Sequence, residues 1–166
     1  MEAPAGCSAW WSPGATTAHA GVGVVVKDNF LKHFDANPRW VVILPGRACR
    51  LELRGEEGAL DILVVYFPTG ANITEHDTFG FRDSEINGVN TFQELRARMR
   101  SRLAGAIAPK TTALTILGGD FNWVKDDKDR YTATSAVSSG NRDRREESHF
   151  ANMVADPKGL VGNVPA

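Results

Sequence analysis

The chain has 166 residues, 42% of them hydrophobic, and a formal net charge of −1. That length fits one domain, and that apolar content supports a core and excludes global disorder. The longest apolar runs, such as Val24–Val26 and Leu63–Val65, fall far short of the about 20 residues of a membrane-spanning helix, and the balanced charge gives no overall footprint of a phosphate-gripping protein, although basic residues can still gather on one face.

The opening Met-Glu-Ala-Pro carries no pattern of a folded element, and no basic start followed by an apolar run marks a secretory signal. Trp10 and Trp11 stand side by side without basic interleaving, so they read as packing residues and not as a base-stacking platform. Gly21–Lys27 is rich in valine and reads as a buried strand. Arg39–Leu44 reads as a second strand, ended by the Pro45-Gly46 turn. From Ala48 to Arg54 the residues alternate, with Cys49, Leu51 and Leu53 on one side and Arg50, Glu52 and Arg54 on the other, which predicts a strand with one wet face. Leu60–Phe67 is a further strand, stopped by Pro68 and Gly70. The short links between these runs favour an antiparallel meander.

Residues 71–90 have no period and read as a loop. Thr91 and Glu94 have the spacing of a capping box, and Phe92, Leu95, Met99, Leu103 and Ile107 form one apolar stripe at steps of three and four, so a helix runs from Thr91 to Pro109. Its arginines, Arg96, Arg98, Arg100 and Arg102, alternate between faces and read as a solvated surface. Ala113–Leu117 is a strand, and Arg142 to about Ala155 a second helix with Phe150, Met153 and Val154 as its apolar contacts. The order of strands, helix, strand, helix suits an α+β or layered α/β domain. Cys7 and Cys49 lack any metal spacing and read as reduced thiols of an intracellular protein, nuclear or cytoplasmic. His19, His33 and His76 have no partners at ligand spacing.

The sharpest chemistry follows the last strand, in Gly118-Gly119-Asp120-Phe121-Asn122. In extended backbone, residues two apart point the same way, so Asp120 and Asn122 can face one substrate. A carboxylate there can accept a proton from water or help hold a divalent cation, and an amide can donate to a phosphoryl oxygen that gains charge. The glycines would let the backbone bend and a ligand approach. An ordinary strand-to-turn exit uses the same residue types.

The run Leu117–Asn122 resembles the GDFN signature of the endonuclease/exonuclease/phosphatase superfamily. Three further stretches agree in order: Ala20–Val24 is similar to the family's glycine-valine strand, Leu60–Pro68 to its strand ending in tyrosine and proline, and Asp129-Arg130 to a pair common in endonuclease domains of non-LTR retrotransposons. The resemblance spans about residues 10–161 and treats the chain, 1–166, as a single partial domain. It implies an incomplete four-layer α/β/β/α sandwich and a metal-dependent phosphodiesterase, with nucleic acid, DNA first, as partner. It implies that Asp120 orients or deprotonates the attacking water and is the remaining metal ligand, for Mg²⁺, that Asn122 positions the scissile phosphate, and that Tyr66 contacts that phosphate through its hydroxyl. Asp129 and Arg130 read as a brace for their loop.

Several family residues have no counterpart. The early asparagine and metal-holding glutamate precede the glycine-valine strand, and Glu2 has no strand before it to stand in for the glutamate. The closing Ser-Asp-His is unmatched: Ser148-His149-Phe150 lacks the aspartate, His149 reads as a surface or packing residue of the second helix, and Gly162 stands where retrotransposon relatives carry an aspartate. Catalysis is therefore expected to be incomplete in this chain, with a non-catalytic retroelement remnant or interaction segment as the alternative.

Overall fold

The structure is a computed structural model that describes residues 2–16, 19–34, 37–70, 72–107, 113–122, 147–149 and 151–152. In chain order its elements are β1 (Cys7–Thr16), β2 (His19–Lys27), α1 (Asp28–Leu31), β3 (Arg39–Leu44), β4 (Ala48–Gly55), β5 (Gly58–Tyr66), α2 (Glu75–Thr78), α3 (Asp83–Ile86), α4 (Phe92–Ala106) and β6 (Leu114–Asp120). The domain is mixed α+β with two sheets, an antiparallel hairpin β1-β2 and a four-stranded sheet ordered β3-β4-β5-β6. The expected meander holds for β3, β4 and β5, whose links are too short for anything but antiparallel pairing. The strand at Gly21–Lys27 does not join them: it pairs with β1, which the opening residues did not announce because Pro13 and Gly14 interrupt their strand pattern. After the long connection through α4, β6 returns parallel to β5.

The valine strand alternates with glycine for a packing reason. Trp11 is the register partner of Gly23, and its indole reaches over both Gly23 and Gly21 of β2. A Cβ on Gly23 would come within 2.3 Å of the Trp11 ring, and one on Gly21 within 2.8 Å. The opposite face of β2 sends Val24 and Val26 inward, against Leu51, Leu53 and Leu60 of the larger sheet. At one end the sheets are tied by polar contacts: Gly46 N donates to Ser12 Oγ at 3.0 Å, and Gly21 N donates to Gly46 O at 3.0 Å.

The other face of the four-stranded sheet carries α4. The expected stripe is the buried one: Phe92, Leu95, Met99, Leu103 and Ile107 are all inside. Met99, Leu103 and Ile107 pack with Leu63, Val65 and Phe67, the odd-numbered residues of the β5 run. The capping box also forms, with Glu94 N donating to Thr91 Oγ1 at 3.2 Å and Thr91 N to Glu94 Oε2 at 3.0 Å. The described elements thus stack as hairpin sheet, four-stranded sheet, helix. In the expected second helix, the described residues 147–149 and 151–152 are helical; Phe150, Met153 and Val154 lie outside the described residues.

The side of β4 expected to be wet is so only at its end: Arg54 is exposed, Arg50 half-buried and Glu52 buried. Glu52 is 8% exposed and meets Arg39 at 3.2 Å, Arg50 at 2.5 Å and Arg54 at 3.9 Å, while Arg54 also pairs with Asp61 at 2.6 Å. Alternation identified the polar side correctly but could not say that its charges pair with one another within the fold. The segment 71–90 holds two helical turns, α2 and α3, set by capping pairs Thr74 with Asp77 and Arg82 with Glu85.

Candidate functional site

Tyr66 ends β5 and Asp120 ends β6, and they are partners in the parallel register. Register partners on neighbouring parallel strands, about 4.8 Å apart, present their side chains on one face. Ile62 and Val64, of the same parity as Tyr66, pack into the inter-sheet cluster, so Tyr66 and Asp120 stand on the hairpin side at the C-terminal edge of the sheet. Asp120 is exposed and Tyr66 half-buried.

Asn122 takes up the exit from β6. It has φ 49, the left-handed region that asparagine tolerates better than other side chains. Its backbone N–H donates to Asp120 Oδ1 at 2.9 Å, closing an Asx-type turn. Its Nδ2 donates to Phe67 O at 2.6 Å, and its own carbonyl accepts from Arg96 Nη1 at 3.0 Å. Phe67 N in turn donates to Asp120 O at 2.8 Å. One amide N–H is therefore committed to lacing the two strand exits together; the second N–H and the Oδ1 lone pairs are not used among the described residues.

The glycine pair has a steric role the sequence did not declare. A Cβ on Gly119, at φ +141, would lie 1.9 Å from Val65 O, so Gly119 is needed for β6 to lie against β5. Gly118 meets nothing within 4 Å among the described residues.

Sequence reasoning passed over Arg47. It sits in the turn before β4, its guanidinium 5.0 Å from the centroid of the Tyr66 ring, with Nη2 3.0 Å from Asp77 Oδ1. It is 5% exposed, and Tyr66 N donates to its carbonyl at 2.8 Å. Burial pulls its guanidinium below the usual value, against the nearby Asp77 carboxylate, which raises it. The available signal was an arginine inside an otherwise apolar turn, a charge that needs a partner once the turn is buried.

Asp129, Arg130 and Gly162 lie outside the described residues. His149 is half-buried and accepts at Nδ1 from Arg100 Nη2 at 3.1 Å, beside α4. Cys7 and Cys49 are free thiols, and burial pushes the Cys49 thiol up. Mg²⁺ takes a near-octahedral set of oxygens, commonly with one or two carboxylates, waters and phosphate oxygens. Among the described residues no group of three or more His, Cys, Asp or Glu could hold a metal, and one oxygen of Asp120 is already bonded to Asn122. That donor set does not fit a resident cation.

Fold and site define a mixed α+β domain with a polar cluster at the ends of two parallel strands. A comparison with protein-family models gives no match, and a comparison with curated proteins gives none either. No described helix is long and apolar enough to cross a membrane.

Proposed function

We propose that the chain carries part of a phosphodiester-hydrolysing site of the endonuclease/exonuclease/phosphatase type, within an incomplete four-layer α/β/β/α sandwich, and that nucleic acid is its partner. The observation that carries this reading is the register pairing of Tyr66 with Asp120, with Asn122 at the exit between them. A carboxylate beside a phenol can take a proton from water while the hydroxyl donates to a phosphoryl oxygen. Arg47 against the tyrosine ring would fix the phenol and add positive potential. Mg²⁺ would supply charge stabilisation at the phosphate, but it needs ligands beyond the described ones. Groups that act as a unit lose far more than their share when some are missing, so this chain alone should hydrolyse phosphodiesters poorly.

A second reading, a non-catalytic remnant or interaction segment, is favoured by one observation: Gly119 and one N–H of the Asn122 amide serve to hold β5 and β6 together.

Plasmid nicking with Mg²⁺ and with EDTA, beside Asp120→Ala, and binding of a short DNA duplex to wild type and Tyr66→Ala test the two. We expect nicking at background and duplex binding that Tyr66→Ala weakens about tenfold, one lost charge-assisted or strong hydrogen bond. Robust Mg²⁺-dependent nicking that Asp120→Ala abolishes would overturn the incompleteness. Duplex binding that is absent at low salt, or indifferent to Tyr66→Ala, would leave the non-catalytic reading standing.

A further inference from the structure

The arginine run of α4 is not one surface. Arg96 and Arg100, four apart, lie on the flank that holds Asn122 and His149. Arg98 and Arg102, also four apart, lie on the opposite flank, where they open onto a cleft of about 750 Å³ between α4, α3 and the edge strand β3. Arg50 reaches the same cleft from β4 and Arg82 from the start of α3. The cleft lies on the helix side of the four-stranded sheet, since Val41 on its wall pairs with Arg50, whereas Tyr66 and Asp120 lie on the hairpin side.

Four guanidinium groups therefore face one cleft whose lining includes a single carboxylate, Glu85. That carboxylate is shared. Arg102 grips it with two bonds, Nε to Oε1 at 2.5 Å and Nη2 to Oε2 at 2.6 Å, and Arg82 Nε reaches Oε2 at 3.3 Å. The hydrogen bonds from Arg102, then those from Arg82, hold Glu85 well below the usual carboxylate range. Arg50 is backed by Glu52 and donates to Ala106 O at the end of α4, so its charge lies at the cleft floor already held in place. The remaining wall is apolar or small, Val41, Ile43 and Gly105, with hydroxyls from Ser84 and Ser101.

A site built this way suits a ligand with a doubly charged head and a compact apolar body. Planar guanidinium forks match phosphate oxygens in pairs, and the cleft volume lies within the about 300–1,000 Å³ of small-ligand sites. We propose that this cleft is a second, independent site that binds an organic phosphate of nucleotide size, its phosphates on the exposed Arg82 and Arg98, with Arg50 and Arg102 adding positive potential from the wall, and its body on Val41 and Ile43.

The test uses the purified full chain and isothermal titration with ADP and with inorganic pyrophosphate at low salt. The variants are Arg98→Gln and Arg82→Gln, both at exposed side chains whose loss leaves the core untouched, with circular dichroism to verify folding, and Asp120→Asn as the control for the other site. We expect saturable one-to-one binding of ADP, tighter than of pyrophosphate because the body contributes. Arg98→Gln and Arg82→Gln should each weaken it about tenfold, as expected for loss of one charge-assisted contact, and raised salt should weaken it further. Asp120→Asn should leave it unchanged. No saturable binding of either probe, or binding that ignores Arg98→Gln, overturns the proposal. Binding that Asp120→Asn abolishes assigns the ligand to the Tyr66–Asp120 site and equally overturns it.

Discussion

At the scale of single residues, the Gly-Gly-Asp-Phe-Asn run divides its work unevenly. Gly119 is a steric requirement of the β5–β6 contact, Gly118 is open, Asp120 is exposed, and Asn122 spends one donor on the backbone of β5. Adding a methyl tests this directly. Gly119→Ala should lower stability by about 3 kcal/mol or more, because the new Cβ meets Val65 O at a positive φ. Gly118→Ala should cost about 0.5 kcal/mol or less. Urea midpoints of the two variants check the pair, and equal costs would mean that β6 does not lie against β5 as described.

At the scale of elements, α3 and α4 are joined by the Glu85 carboxylate shared between Arg82 and Arg102. Its folded-state pKa is depressed, first by the Arg102 bonds and then by those of Arg82, so the linkage has a definite sign. The unfolded carboxyl titrates near about 4.3. The stabilisation is fully present above that pH and is lost as pH falls below it toward the depressed folded value. The gap in urea midpoint between wild type and Glu85→Gln should therefore stay constant from neutral pH down to about 5 and narrow below about 4. A gap that widens in acid would show that the carboxylate is not held by the two arginines.

At the scale of the whole molecule, the four-stranded sheet separates two apolar clusters. Leu51 belongs to the one under the hairpin and Leu103 to the one under α4. Each truncation to alanine should cost about 2–5 kcal/mol, since both side chains are fully buried. Because the clusters share no member, the double variant should lose the sum to within about 0.5 kcal/mol. Denaturant unfolding of the two single variants and the double variant measures it; a departure of more than about 1 kcal/mol would show the sheet transmitting strain between its faces.

The sequence by itself determined whatever depends on local repetition. The α4 stripe and its Thr91–Glu94 cap, the valine strand, the meander of β3, β4 and β5 and the polar exit after β6 all follow from periodicity, capping and turn chemistry within a few residues of one another. Asp120 and Tyr66 were legible as candidates by their resemblance, and their adjacency came from the parallel register. Only the tertiary structure decided that Trp11 requires glycine at Gly23, that Gly119 answers to Val65, and that Arg47 lies against Tyr66. It also decided that the polar side of β4 is an ion-paired network and that one arginine run splits between two flanks. These contacts join residues far apart in the chain, and no local pattern encodes a distance of closest approach between strands or the partner of a buried charge.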